Sequence, residues 1–277
     1  MTYELTLEQK AYLIYEWYSY KPLRGIQDTF RERYGFGISA PTISRRIEDE
    51  LRVVDKGLTF GLSEGGLRVE VGDFWESDGT VVPGIGNWFI VARDLKTGLI
   101  LSGAVNETED EEVSMKVYQE AWSIARKKPK VIRCDGNPAF KSAARKVFGD
   151  NVKIEVHPRI GRTGQNQAIE GTFSDLETFF NVRKGLHSAR NAHLILRGWV
   201  WHKNFVKRSP ALGNRTPAEV AGLGYIRSWY GNPWVSLLII GHNYSAYLRN
   251  LELKAVSYTH LRAHETSLHL VCRLLLE

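Results

Sequence analysis

Cysteine is nearly absent: Cys134 and Cys272 are the only two among 277 residues. That is too few for a disulfide framework or a thiolate zinc site, so the secreted-scaffold and zinc-finger classes are excluded. Long hydrophobic runs are missing as well. The longest, around Trp234 to Gly241, falls far short of the ~20 residues that cross a bilayer. The opening MTYELTLEQK lacks a basic-then-apolar signal pattern. The expectation is a soluble, cytoplasmic protein with no membrane partner. Neither sign of charge is scarce: 37 Lys and Arg against 31 Asp and Glu leave a formal +6, which suits a polyanionic partner without requiring one. With 43% hydrophobic and 25% charged residues the chain can bury one large core or two smaller ones, and is neither disordered nor fibrous by composition.

The end of the chain differs from the rest. From about Ala255 it reads AVSYTHLRAHETSLHLVCRLLLE, and three of the eight His (His260, His264, His269) fall within it, along with Cys272. The stretch resembles translated sequencing-adapter read-through. Residues 255–277 are therefore set apart as a non-native tail, with the natural C-terminus missing and the His cluster no metal site. A native amphipathic helix is the alternative.

The first 56 residues read as a small helical head. Leu7, Ala11, Ile14 and Tyr18 form a helical stripe, with Thr6 and Gln9 as a capping-box pattern at its start. Leu23, Ile26, Phe30 and Tyr34 form a second. Gly35 and Gly37 break it, and Ser39 with Pro41 opens a third helix reaching about Leu51, with Ile43, Ile47 and Leu51 facing inward. Thr42, Ser44, Arg45 and Arg46 are left near that helix's N-terminus, where a helix-turn-helix places its DNA-contacting residues. The competing reading is an ordinary three-helix bundle with a solvated face, since residues 1–57 hold nine basic and nine acidic residues. Five glycines between Gly57 and Gly72 mark a linker over 57–72.

The body alternates strand and helix. Phe74–Asp78, Trp88–Arg93 and Leu99–Val105 are short aromatic or β-branched runs separated by turn signals, an antiparallel meander. A helix over Asp110–Lys128, a buried strand over Lys130–Asp135, a helix over Pro138–Phe148, a strand over Val152–His157 and a helix over Gln165–Phe180 follow. The order βββαβαβα describes a five-stranded mixed sheet with flanking helices, the RNase H-like α/β layout, preceded by a small all-α domain.

Three carboxylates stand where such a sheet performs chemistry. Asp78 ends the first strand and Asp135 the fourth, and these two strands are neighbours in this layout. Glu170 lies on the last helix of the core, one residue after the inward-facing Ile169. Converging acids persist when divalent cations neutralise them, and hard oxygen ligands favour Mg²⁺ or Mn²⁺ over zinc. Two such ions about 4 Å apart fit the logic of phosphodiester cleavage and transfer. Each acid alone has a plainer explanation, since Asp78-Gly79 and Asp135-Gly136 are ordinary turn starts. Arg159, Arg162, Gln165 and Asn166 give the approach to Glu170 a basic, amide-rich lip suited to a phosphate backbone.

With these residues the chain resembles the DDE-type transposases of insertion sequences, related to the retroviral-integrase catalytic core. Asp78, Asp135 and Glu170 match the acidic triad, and the 34 residues between the last two match the spacing of one large branch. Trp199-Val200-Trp201-His202-Lys203-Asn204-Phe205-Val206 and Ala211-Leu212-Gly213-Asn214-Arg215-Thr216-Pro217-Ala218-Glu219 resemble that branch's closing helix and "ALG…TPAE" ending. The match runs from about residue 6 to residue 223. It implies a catalytic domain over 73–223 and an extension over 224–254. It also implies a metal-dependent polynucleotidyl transferase that holds two Mg²⁺ or Mn²⁺ ions on the triad, binds double-stranded DNA at transposon ends and target, and assembles as a homo-oligomer. Three departures stand out. Gly79 replaces the Glu that often follows the first Asp, and Glu177 replaces a basic residue seven positions after Glu170. Lys207-Arg208-Ser209 takes the place of Arg-Pro-His.

Two basic tracts support a nucleic-acid partner. Residues 125–162 carry eleven Lys and Arg against three acids, and residues 183–215 carry eight against none, among them Arg183, Lys184, Lys203, Lys207 and Arg208. A solvated charged face is the competing explanation. Trp88, Trp199, Trp201 and Trp229 sit in apolar patterns and read as core. His157 and His202 read as structural or phosphate-contacting, and Cys134 as a small buried hydrophobe. The rivals to a transposase are a catalytically silent DNA-binding descendant and a metal-dependent nuclease of the same fold.

Overall fold

The computed structural model describes residues 4–156, 167–186, 188–228 and 231–252, so His157, Arg159, Arg162, Gln165, Asn166, Trp229 and the 255–277 tail lie outside the described residues. In chain order the elements are α1 (Leu7–Tyr18), α2 (Leu23–Tyr34), α3 (Ala40–Ser63), β1 (Phe74–Val81), β2 (Trp88–Asp94), β3 (Ile100–Asn106), α4 (Glu111–Ala125) and β4 (Val131–Cys134). Then come α5 (Pro138–Phe148), β5 (Lys153–Val156), α6 (Gln167–Arg183), α7 (Ala189–Phe205) and α8 (Gly224–Ser228). A last helix, α9, occupies 233–252.

Local chemistry sets most boundaries. Thr6 and Gln9 form the reciprocal capping box that opens α1. Gly35, at φ 76°, closes α2 in the left-handed conformation that glycine adopts without strain. The Ser39 hydroxyl accepts from the Thr42 N–H to open α3, with Pro41 in its first turn.

α3 does not stop near Leu51. It continues for three more turns, taking in Gly57 and Gly61, so the first half of the expected 57–72 linker is helix and only 64–73 has neither helix nor strand. The reason is a helix crossing. A Cβ built on Gly57 would stand 2.0 Å from the Gly241 carbonyl oxygen of α9, and one on Gly61 would stand 2.6 Å from the Tyr244 ring. These glycines let two helix backbones touch. α3 also packs on α7 and α4, which joins the head to the body.

The body sheet has strand order β3-β2-β1-β4-β5. β1 pairs antiparallel with β2 and parallel with β4; β3 extends the antiparallel side and β5 the parallel side. This is the RNase H-like arrangement. Trp75, Phe89, Ile90, Val91 and Ile132 are fully buried along the strands, with Val117, Ala121 and Phe140 among the helical residues of the same core. The edge strand β3 is covered by α7: the Asn204 side-chain amide accepts from the Ile100 N–H at 3.0 Å and donates to the Ile100 carbonyl at 2.8 Å, which blocks strand addition there. Trp199 and Trp201 are core residues, whereas Trp88 is only half-buried.

Candidate active site

β1 and β4 bring the first two acids together. Their parallel pairing runs from Phe74↔Val131 to Ser77↔Cys134, so Asp78 and Asp135 are the next residue on each of two hydrogen-bonded strands. Asp78 does not end β1, as the sequence suggested. β1 runs on to Val81 against β2, and Asp78 sits where it loses β4 as a neighbour. Ladder hydrogen bonds to β2 thus hold the Asp78 backbone one residue past the last β4 pairing.

Asp135 is 4% exposed and Asp78 is half-buried. The Asp135 Oδ1 accepts from the Asn137 N–H at 2.9 Å, and the Asp78 Oδ1 accepts from the Gly79 N–H at 2.8 Å. Asn137 in turn caps α5 by accepting from the Ala139 N–H. The negative field of the two acids registers on their neighbours. Burial, then Asp135 and Asp78, push the Cys134 thiol up to about 12 against the pull of Lys141. Burial, with smaller contributions from Cys134 and Asp135, raises the Tyr118 phenol well above its ordinary range.

α6 carries Glu170 and lies against β1. Ile169, Phe173, Leu176, Phe179 and Phe180 bury one side of it. Its trailing end is tied to the β1–β2 turn by the Leu186 N–H donating to the Pro83 carbonyl at 2.8 Å. The Glu170 side chain lies outside the described residues. Among the described residues no group of three or more His, Cys, Asp or Glu gathers at metal-binding distance. Glu177 is exposed on α6.

A residue with no sequence signal joins this site. Glu109, just before α4, places its Oε2 2.7 Å from the Asn137 Nδ2 and its Oε1 2.2 Å from where a Cβ on Gly79 would stand. It is 28 residues from Asn137 in the chain, a separation at which no local pattern reports a contact.

The basic residues divide. Arg45 and Lys184 are exposed, Thr42, Ser44 and Arg46 are partly so, and the Thr42 hydroxyl is bonded to Ser39 at 2.8 Å. Arg183, Lys203 and Lys207, expected on DNA, are partly exposed and also have partners within the chain. Arg183 stacks 3.6 Å from the Trp17 ring and donates to the Trp17 carbonyl, and burial pulls its guanidinium down to about 10. Lys203 and Lys207 both pair with Asp175 of α6, and Lys207 also donates to the Tyr20 hydroxyl at 3.1 Å. Arg208 lies 3.7 Å from Glu219 but stays partly exposed. The tract that lacks acids in sequence finds them in space, on α6 and in the segment after Thr216. His202 is buried and structural: its Nδ1 accepts from the Trp234 Nε1–H at 3.1 Å, and its ring stacks with Trp234.

The family described as "DDE domain" matches residues 72–209. Among solved structures, the HTLV-2 integrase catalytic core domain in complex with magnesium is similar at 18% identity and TM-score 0.42, covering 56% of this chain and 99% of that one. The BIV integrase catalytic core domain is similar at 16% identity and TM-score 0.40, covering 57% and 99%. The integrase of a simian T-cell lymphotropic virus intasome in complex with the PP2A regulatory subunit B56 gamma is similar at 18% and 0.43, covering 56% and 58%. No curated protein matches the chain by sequence. Residues 72–209, which hold Asp78, Asp135 and Glu170, thus match the DDE transposase family.

Proposed function

We propose that this protein is a DNA transposase that cuts a phosphodiester at each end of its element and joins the freed end to a target. The observation that carries this reading is the placement of Asp78 and Asp135 side by side where β1 and β4 part, with α6 lying along β1. The donor set suits hard cations. Asp78, Asp135 and Glu170 offer only carboxylate oxygens. These three residues would hold two Mg²⁺ or Mn²⁺ ions, whose chemistry is to stabilise charge on the attacking and departing oxygens of an in-line displacement.

The chain's own residues do the rest. The β1–β2 ladder and the N–H groups of Gly79 and Asn137 hold the two aspartates in their orientation. Water attacks the phosphodiester at the element end and releases a 3′-hydroxyl. That hydroxyl then attacks a target phosphodiester, exchanging one ester bond for another with no ATP. The head, 1–56, would grip double-stranded DNA through Thr42, Ser44, Arg45 and Arg46, with Arg159, Arg162, Asn166, Arg183, Lys184, Lys203, Lys207 and Arg208 as the further phosphate contacts. Joining two ends calls for a homo-oligomer. No helix among the described residues is long and apolar enough to cross a membrane, which fits work on chromosomal DNA in the cytoplasm.

The test uses duplexes ending in the sequences that border the gene, with Mg²⁺ and a target plasmid. The wild-type protein should nick and join them, and Asp135→Asn should bind the duplex but do neither. Binding without cleavage by the wild type would make the protein a silent DNA-binding descendant. Cleavage that never yields joined products would make it a nuclease.

A further inference from the structure

Gly79 and Glu109 form a pair that neither residue suggests alone. Gly79 follows Asp78 on β1, and a Cβ there would stand 2.2 Å from the Glu109 Oε1 and 3.3 Å from the Trp88 ring. No real Cβ tolerates the first distance, so the Glu109 carboxylate occupies the space that a side chain at 79 would fill. Its other oxygen accepts from the Asn137 Nδ2 at 2.7 Å, and the Glu109 carbonyl lies 3.4 Å from the same nitrogen. Asn137 is the residue whose N–H holds the Asp135 Oδ1 and whose side-chain oxygen caps α5. One carboxylate therefore reaches from the flank of Asp78 to the residue that aims Asp135.

The loop that presents Glu109 is itself fixed. The Asp110 Oδ2 accepts from the Thr108 hydroxyl and from the Asn106 Nδ2 at 3.0 Å, and its Oδ1 accepts from the Val113 N–H at 3.0 Å, capping α4. These bonds, the Thr108 hydroxyl foremost, hold the Asp110 carboxyl below its usual range. Glu109 is thus delivered from a pinned turn at the C-terminal end of β3 rather than from a free loop.

We propose that Glu109 is a positioning residue of the cation site, holding Asn137 and through it the Asp135 carboxylate, and that Gly79 is required because only glycine leaves room for it. This rests on the reading of Asp78 and Asp135 as cation ligands. Residues that orient a metal ligand typically change affinity by about ten-fold or more when removed.

The experiment measures Mn²⁺ binding to the full chain by titration calorimetry, with no DNA and no turnover, alongside thermal melting of each variant. Glu109→Ala should weaken Mn²⁺ binding about ten-fold. Gly79→Ala, which displaces the carboxylate without altering it, should do the same. The double variant should be no weaker than Glu109→Ala, because both changes act on one contact. Glu109→Gln should stay within about three-fold of wild type, since its amide oxygen still accepts from Asn137. Equal affinity in wild type and Glu109→Ala, with or without a lower melting temperature, overturns the proposal and leaves the cation site standing. A Gln variant as weak as the Ala variant overturns the route through Asn137. A wild-type protein that takes up no Mn²⁺ overturns the cation-site reading, and the proposal with it.

Discussion

Replacing Arg197 with methionine removes a buried cation that ties the head to the body. Arg197 is 2% exposed, on α7, and its Nε donates to the Asp55 Oδ1 of α3 at 2.8 Å. One Nη2 contact reaches the Thr59 hydroxyl of α3 at 2.8 Å and another the Glu120 Oε1 of α4 at 2.7 Å. Burial alone would lower its pKa, yet Asp55 and Glu120 outweigh that and raise it, so the guanidinium stays charged throughout. Methionine keeps the packing volume near Trp201 but takes the cation from two carboxylates that water only partly reaches, leaving Asp55 the Trp201 N–H and Glu120 the Ser102 hydroxyl. Breaking a buried pair in this way costs about 3–5 kcal/mol. In a chain of this size 1 kcal/mol moves the melting temperature by about 2–4 °C, so a drop of about 10 °C is expected by scanning calorimetry. The transition should remain single, because α3 is shared between head and body. A shift under about 2 °C, or two separate transitions with only the first displaced, would refute the claim that the head is locked to the body by this contact.

Two further outcomes follow from buried titratable groups. Burial first, then Lys207 and Lys203, lower the His202 pKa from 6.5 to about 3. The unfolded chain takes up a proton that the folded chain refuses, so the stabilisation is whole above pH 6.5 and is lost as pH falls toward 3. About 2 kcal/mol should disappear between pH 7 and pH 5, read by urea unfolding at each pH, and His202→Phe should flatten that dependence. A wild-type curve already flat over this range would contradict the burial of a neutral imidazole. Cys134, at about 12, should stay unlabelled by iodoacetamide at pH 8.5 in the native protein, as read from its peptide by mass spectrometry, and rapid labelling would contradict its packing beside Asp135.

Much of the fold was legible because its elements announce themselves locally. The α5 boundaries, Pro138 to Phe148, follow from the Asn137-Pro138 start and the Gly149 stop, and the α1 start follows from Thr6 and Gln9. The place of the aspartates followed from strand order alone, once β1 and β4 were taken as neighbours. What was illegible lies in long-range contacts. Gly57 and Gly61 read as a linker because glycine disfavours an isolated helix, while the contact that keeps them helical comes from Gly241 and Tyr244, far along the chain. The partners of Lys203, Lys207 and Arg183 within the chain were equally hidden, because Asp175 and Trp17 lie on other elements. Glu109 carried no sequence signal, because its partners are Gly79 inside β1 and Asn137 at the start of α5.

The central claim is that Asp78 and Asp135 share a divalent cation. Anomalous diffraction from crystals of the protein soaked in Mn²⁺ tests it most directly. A peak within coordinating distance of carboxylate oxygens from both residues, absent from crystals of Asp135→Asn, is the result expected. Occupied Mn²⁺ sites elsewhere on the surface, with none between β1 and β4, would contradict it.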